Sequence, residues 1–230
     1  MTSDSRLLEL KDSMPADDWA LIDMCWRNRF DPKGFMYEAF PWGEEGALET
    51  ERPRSWQVGI AEIIRDHLTD PATRFEPCLI SVASGHGIGK SACIAMIVNW
   101  AMSTMEDTRV VITANTEGQI RTKTSPEVAK WMKLSETKHW FSSTATNIRS
   151  VHPDHQVNWR ADFTPWSAHN TDAFQGLHNK KKRILVVFDE ASSINDPVWE
   201  VVEGALTDAE TEIIWLCFGN PTRNSGRFRE

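Results

Sequence analysis

Leu79-Ile80-Ser81-Val82-Ala83 runs directly into Ser84-Gly85-His86-Gly87-Ile88-Gly89-Lys90-Ser91. An apolar strand thus empties into a glycine-rich turn ending in Gly-Lys-Ser, and Ala92, Ile94, Ile97, Trp100 and Ala101 continue it as an apolar helix. That order describes a P-loop, with Ser84 to Ser91 as the phosphate cradle. The glycines let the backbone curl so that successive N–H groups point at an anion, and the following helix turns its positive end toward the same charge. Lys90 is then expected to reach the β- and γ-phosphates of ATP, and the Ser91 hydroxyl to hold Mg²⁺. Ser84 stands where the usual pattern has glycine, but Gly85, Gly87 and Gly89 keep the loop pliable. A chance glycine-rich turn is the competing reading, and the strand before it and helix after it weigh against that.

A phosphate cradle binds nucleotide; hydrolysis needs carboxylates at the end of a second buried strand. Ile184-Leu185-Val186-Val187-Phe188 is a continuous apolar run, as a parallel strand covered on both faces requires, and it ends in Asp189-Glu190. Asp189 is expected directly on Mg²⁺ or just behind its ligands, and Glu190 as the base that takes a proton from the attacking water. Alone, such a run more often marks a strand ending in solvent; after a P-loop, the two signals support each other. They predict an α/β P-loop NTPase of the RecA-like, additional-strand catalytic-glutamate class, with a mostly parallel sheet and helices on both faces.

The 230 residues, 40% of them hydrophobic, suffice for one sizeable core. No apolar run approaches the roughly 18–20 residues that span a bilayer, and the polar start Met1-Thr2-Ser3-Asp4-Ser5-Arg6 does not read as a signal peptide. The expectation is an intracellular protein without membrane association. Cys25, Cys78, Cys93 and Cys217 are scattered and read as reduced core residues. His152-Pro153-Asp154-His155 reads as a loop, with metal binding the rival. Net charge is -8, and residues 1–50 carry 11 acidic against 5 basic side chains, so six of those eight negative charges lie there. Lys180-Lys181-Lys182-Arg183 reads either as a solvated loop or as a contact for a polyanion.

Two parts are expected: an acidic helical segment with its linker over residues 1–50, and the ATPase domain over 51–230. The first helix places Trp19, Ile22 and Trp26 on one stripe. A second, from Ser55, carries Trp56, Ile60, Ile63, Ile64 and Leu68 toward the core. Further elements are a strand over Arg109–Ala114, a helix capped by Thr116 and running toward Met132, short strands at Val157–Arg160 and Phe163–Ser167, a helix from Asp196 through Leu206, and a buried strand over Glu212–Phe218.

That last strand ends in Gly219-Asn220-Pro221-Thr222-Arg223-Asn224-Ser225-Gly226-Arg227-Phe228, which resembles the third ATPase motif of the large terminase subunit of tailed bacteriophages, the motor that packages DNA into a preformed capsid. Pro53-Arg54-Ser55-Trp56-Gln57, Thr113-Ala114-Asn115-Thr116-Glu117-Gly118-Gln119, and Ala173-Phe174-Gln175-Gly176-Leu177-His178 leading to Phe188-Asp189-Glu190-Ala191-Ser192 fit the same family in the same order. The resemblance covers roughly residues 40 to 230. It implies that Gln57 reads the adenine edge, the alternative being a polar flank of an amphipathic helix. It implies too that Asn220 couples hydrolysis to movement of the segment beyond it, the alternative being a turn residue before Pro221. Many family members carry an arginine inside the P-loop; here Ser84, His86 and Ile88 fill the variable positions, so the arginine finger must come from elsewhere, with Arg121, Arg160 and Arg223 as unranked candidates.

The resemblance also implies a nuclease domain after the ATPase domain, whereas this chain ends at Glu230, so nuclease activity is not expected of it. The function expected is an ATP-driven motor of viral DNA packaging in the cytoplasm of the bacterial host. Its implied partners are double-stranded DNA, the portal protein, the small terminase subunit and further copies of itself in a ring. The alternatives are a catalytically silent module docking on the portal or small subunit, and another P-loop translocase or helicase of nucleic acid.

Overall fold

The computed structural model of the chain describes residues 16–85, 87–114, 116–165, 177–205, 207–222 and 226–228. Seven strands form one sheet in the order β1-β7-β6-β2-β5-β4-β3. They are β1 (Cys78–Ala83), β2 (Arg109–Thr113), β3 (Phe141–Ser143), β4 (Asn147–Ser150), β5 (Arg160–Phe163), β6 (Arg183–Asp189) and β7 (Glu212–Gly219). The first five in spatial order run parallel, and β4 and β3 close that edge as an antiparallel ribbon. The position of β7 decides the chemistry. Because it lies between β1 and β6, the segment after it emerges between the P-loop and the acidic pair.

Among the described residues the main helices are α1 (Ala16–Arg27), α2 (Pro32–Glu38), α3 (Ser55–Thr69), α4 (Lys90–Ser103), α5 (Ser125–Leu134) and α6 (Asp196–Ala205). Glu117–Gln119 and a π turn over Ile120–Thr124 lead into α5, and the Thr116 side chain caps this segment by accepting from Gln119 N at 3.2 Å, as expected. One sheet face packs Ile80, Val110, Ile112, Leu185, Val187, Leu216 and Phe218 against α4 and its neighbours. The other packs Phe188 edge-on against Trp215 and against Trp199 of α6. Residues Cys93–Ser103 of α4 are buried throughout, so this helix is apolar all round and passes through the core.

Several expectations shift. In α1 the buried positions are Met24 and Cys25, while Trp26 is 59% exposed. The seven-residue α2, capped by Asp31 and opened by Pro32, is missing from the sequence reading. In α3, Ile60, Ala61, Ile64 and Leu68 face the core and Ile63 does not. Val157–Trp159 is turn, and strand pairing begins only at Arg160; of the proposed strand Phe163–Ser167, Trp166 and Ser167 lie outside the described residues.

In the basic run before β6, Lys180 and Lys181 are exposed, whereas Arg183 is built into the core. Arg183 is wholly buried, stacked 4.1 Å over Trp100, and donates to Glu212 and to the carbonyls of Arg29 and Ala101. Lys181 and Lys182 pair with Glu210 and Glu106. In the His152–His155 loop, His155 Nδ1 meets Asp107 Oδ1 at 2.7 Å, which raises its pKa. Glu106 stands with them, and Lys182 Nζ, 3.2 Å from Glu106 and 3.7 Å from Asp107, is the cation present there. Among the described residues no helix is long and apolar enough to cross a membrane.

Candidate functional site

Three adjacent strands deliver the predicted residues to one edge of the sheet. The last β1–β7 rung pairs Ala83 with Gly219, and the last β6–β7 rung pairs Asp189 with Phe218. Ser84, Asn220 and Glu190 therefore stand just beyond the paired strand ends, and Ser84 N continues the ladder by donating to Gly219 O at 3.0 Å. Gly85 and Ile88 lie between this rung and α4, and Gly87 and Gly89 have φ of 72° and 90°, a region an L side chain rarely occupies. A Cβ on Gly89 would also lie 3.0 Å from Gln57 Nε2. His86 lies outside the described residues.

The N-terminus of α3 holds the loop from outside. Arg54, Trp56 and Gln57 donate to the carbonyls of Gly87, Ile88 and Gly89 at 3.4, 3.2 and 2.9 Å. In a trans peptide the C=O and the following N–H point in opposite directions. Drawing three consecutive carbonyls toward α3 therefore turns the N–H groups of Ile88, Gly89 and Lys90 the other way, into the concavity at the head of α4. This is the geometry an anion at a helix N-terminus requires. Gln57 is buried and its amide oxygen also accepts from Arg54 N at 2.8 Å, tying the side chain back to the first turn of α3. Beside it lies a cavity of about 240 Å³ lined by Trp42, Arg52, Arg54, Gln57, Gly89 and Trp131. Larger cavities of about 680 and 310 Å³ open at the opposite end of the sheet, around Arg29 and Lys182, away from this chemistry.

Lys90 is buried, and its ammonium donates to Ser84 O at 3.3 Å, Gly85 O at 3.1 Å and Asn220 Oδ1 at 2.6 Å. The P-loop and the third motif are thus joined by a side-chain hydrogen bond as well as by the Ser84–Gly219 backbone bond. Ser91, the second residue of α4, is half-buried at the same edge. Asp189 is buried; its Oδ2 accepts from Thr124 Oγ1 at 2.6 Å and its Oδ1 from Glu190 N at 3.0 Å. Desolvation pushes its pKa up, and among the described residues no Lys or Arg forms an ion pair with it. A desolvated carboxylate with spare lone pairs suits a hard divalent cation together with the Ser91 hydroxyl. Glu190 adopts a left-handed backbone (φ 54°, ψ 42°) that turns it off the line of β6.

Of the arginine candidates, Arg121 is exposed and paired with Glu117, Arg160 begins β5 at the far end of the sheet and is bound to Asp162, and Arg223 lies outside the described residues. Sequence reasoning missed Arg54 and Trp56 as props of the P-loop and Thr124 as the partner of Asp189. Their immediate neighbours in sequence, Ser55, Gln57, Lys123 and Ser125 among them, carried no signal for such contacts.

Comparison with known proteins gives three findings. The family model described as "RNA cytidine acetyltransferase NAT10/TcmA, helicase domain" matches residues 81–209, a range that holds the P-loop and the acidic pair but neither Gln57 nor Asn220. The probable terminase large subunit of Enterobacteria phage P7 is 30% identical over 162 residues, covering 64% of this chain and 30% of that protein. The large terminase of bacteriophage HK97 superposes with a TM-score of 0.57 at 16% identity, over 83% of this chain and 37% of the other. The chain thus spans about a third of the length of the terminases it matches.

Proposed function

The chain belongs to the P-loop ATPase family described by that helicase-domain model and resembles the phage large terminases over most of its length, and from this premise we propose that it is the ATP-hydrolysing motor domain of a viral DNA-packaging terminase. The observation that carries the reading is the meeting of Lys90, Asn220, Asp189 and Glu190 beyond three neighbouring strands.

The N–H groups of Ile88, Gly89 and Lys90 hold the phosphate chain, and Gln57 faces the base from the cavity beside Trp42. Ser91 and Asp189 hold Mg²⁺, which when bound supplies neutralising charge on the phosphates. The Lys90 ammonium leaves Asn220 Oδ1 for the γ-phosphate, so nucleotide occupancy reaches the segment after β7 through Asn220. Glu190, turned off the strand line, accepts the proton of the attacking water. Residues 51–230 form this ATPase unit, with residues 1–50 as an acidic attachment. Double-stranded DNA is the load, the portal and small terminase subunit are partners, and a ring of copies on the portal in the host cytoplasm is the working assembly.

The matched helicase-domain family favours a second reading, a nucleic-acid helicase. Phosphate release by the purified chain with Mg-ATP, with and without blunt double-stranded DNA, tests the first; strand displacement on a forked duplex tests the second. Stimulation by blunt duplex without strand displacement is the expected pair of results. Displacement would favour the helicase, and no ATPase activity in either assay would leave only the silent docking module.

A further inference from the structure

We propose that the Thr124 hydroxyl is the positioning group that fixes the Asp189 carboxylate for its divalent cation; the proposal rests on the nucleotide-site reading above. Both carboxylate oxygens carry a donor, and the donors come from different elements: Thr124 Oγ1 on Oδ2 at 2.6 Å and Glu190 N on Oδ1 at 3.0 Å. Two opposed anchors prevent the carboxylate from rotating and leave one lone pair on each oxygen free for a metal or its bound water. With the backbone donor alone, the group swings.

Thr124 is built for this task. It is 1% exposed, and β-branching limits it at χ1. It ends the π turn Ile120–Thr124, whose widened ring is closed by Ser125 N on Ile120 O. A π turn holds one residue more than an α turn, and each residue rotates a helix by about 100°. Without the extra residue, Thr124 would face elsewhere. The neighbouring Ser125 hydroxyl is turned away, onto Ala145 O at 3.3 Å, so the two hydroxyls are not interchangeable.

Groups that orient a metal-binding side chain typically contribute about 10–100-fold to metal affinity. The test is the binding of a fluorescent ATP analogue to the full chain, titrated with Mg²⁺ and repeated in EDTA. Thr124→Val keeps the shape and removes the donor. It should raise the Mg²⁺ concentration for half-maximal tightening of nucleotide about 10-fold or more, leave the affinity in EDTA within about twofold, and Thr124→Ser should restore the parental Mg²⁺ dependence. A parental Mg²⁺ dependence in Thr124→Val overturns the proposal. So does loss of binding in EDTA that Thr124→Ser fails to restore, since that pattern belongs to a role in the fold alone. A parent chain that binds no nucleotide overturns the nucleotide-site reading itself, so the two failures are distinguishable.

Discussion

Asp189 stands where burial and chemistry pull in opposite directions. Its pKa lies above the ordinary carboxylate value because desolvation outweighs the hydrogen bonds from Thr124 and Glu190 N. A carboxyl whose pKa is raised on folding lowers stability as pH climbs through its ordinary value near ~3.9, and the loss persists at neutral pH. Without metal, Asp189→Asn should therefore melt at a higher temperature than the parent at pH 7.5, with the gain vanishing below about pH 4, while ATP hydrolysis is lost. Thermal melts at the two pH values check this; an Asn variant less stable at neutral pH would mean that the carboxylate is compensated in the fold. Glu190 adds a second local cost, since a left-handed backbone at a non-glycine residue is unfavourable by roughly 1–2 kcal/mol.

At the scale of elements, α3 and the P-loop act as one unit. Trp56→Phe removes the donor to Ile88 O and keeps a smaller aromatic ring. A net hydrogen bond of about 0.5–1.5 kcal/mol predicts nucleotide affinity about 2–10-fold weaker with little change in melting temperature. Unchanged affinity in a binding titration would show that Arg54 and Gln57 suffice. At the other end of β6 and β7, Glu212 offsets the buried Arg183 and also binds Arg74. Glu212→Gln should destabilise the fold by about 3 kcal/mol or more in denaturant titration and leave nucleotide affinity intact well below the melting point. Such contacts explain what the sequence did and did not reveal. β6 and β7 were legible because buried parallel strands read as nearly unbroken apolar runs, and the edge strand β1 because it empties into the glycine-rich turn; their ends named Lys90, Asp189, Glu190 and Asn220. Thr124 and Asp189 are 65 residues apart, and Trp56 and Ile88 are 32 apart; no local pattern announces a pairing that only the folded sheet creates. The short β3, β4 and β5 and the seven-residue α2 carry too few residues for a period to show.

For the whole molecule, the source of the arginine finger matters most. No arginine lies inside the P-loop, and neither Arg121 nor Arg160 is free in its own chain. If the finger comes from a neighbouring copy, turnover per molecule should climb with protein concentration, since a finger supplied in trans raises phosphoryl transfer by roughly 10³–10⁵. Turnover that is fast and independent of concentration would place the finger in cis, with Arg121→Ala the first variant to make. The central claim, that the ends of β1, β7 and β6 form one ATP-hydrolysing site, is tested most directly by single-turnover hydrolysis of labelled ATP with the protein in excess, comparing parent, Lys90→Ala and Glu190→Gln. The parent should convert bound ATP to ADP, Lys90→Ala should bind none, and Glu190→Gln should hold ATP unhydrolysed, its rate lower by about 10²–10⁴. Parental hydrolysis by either variant would contradict the account.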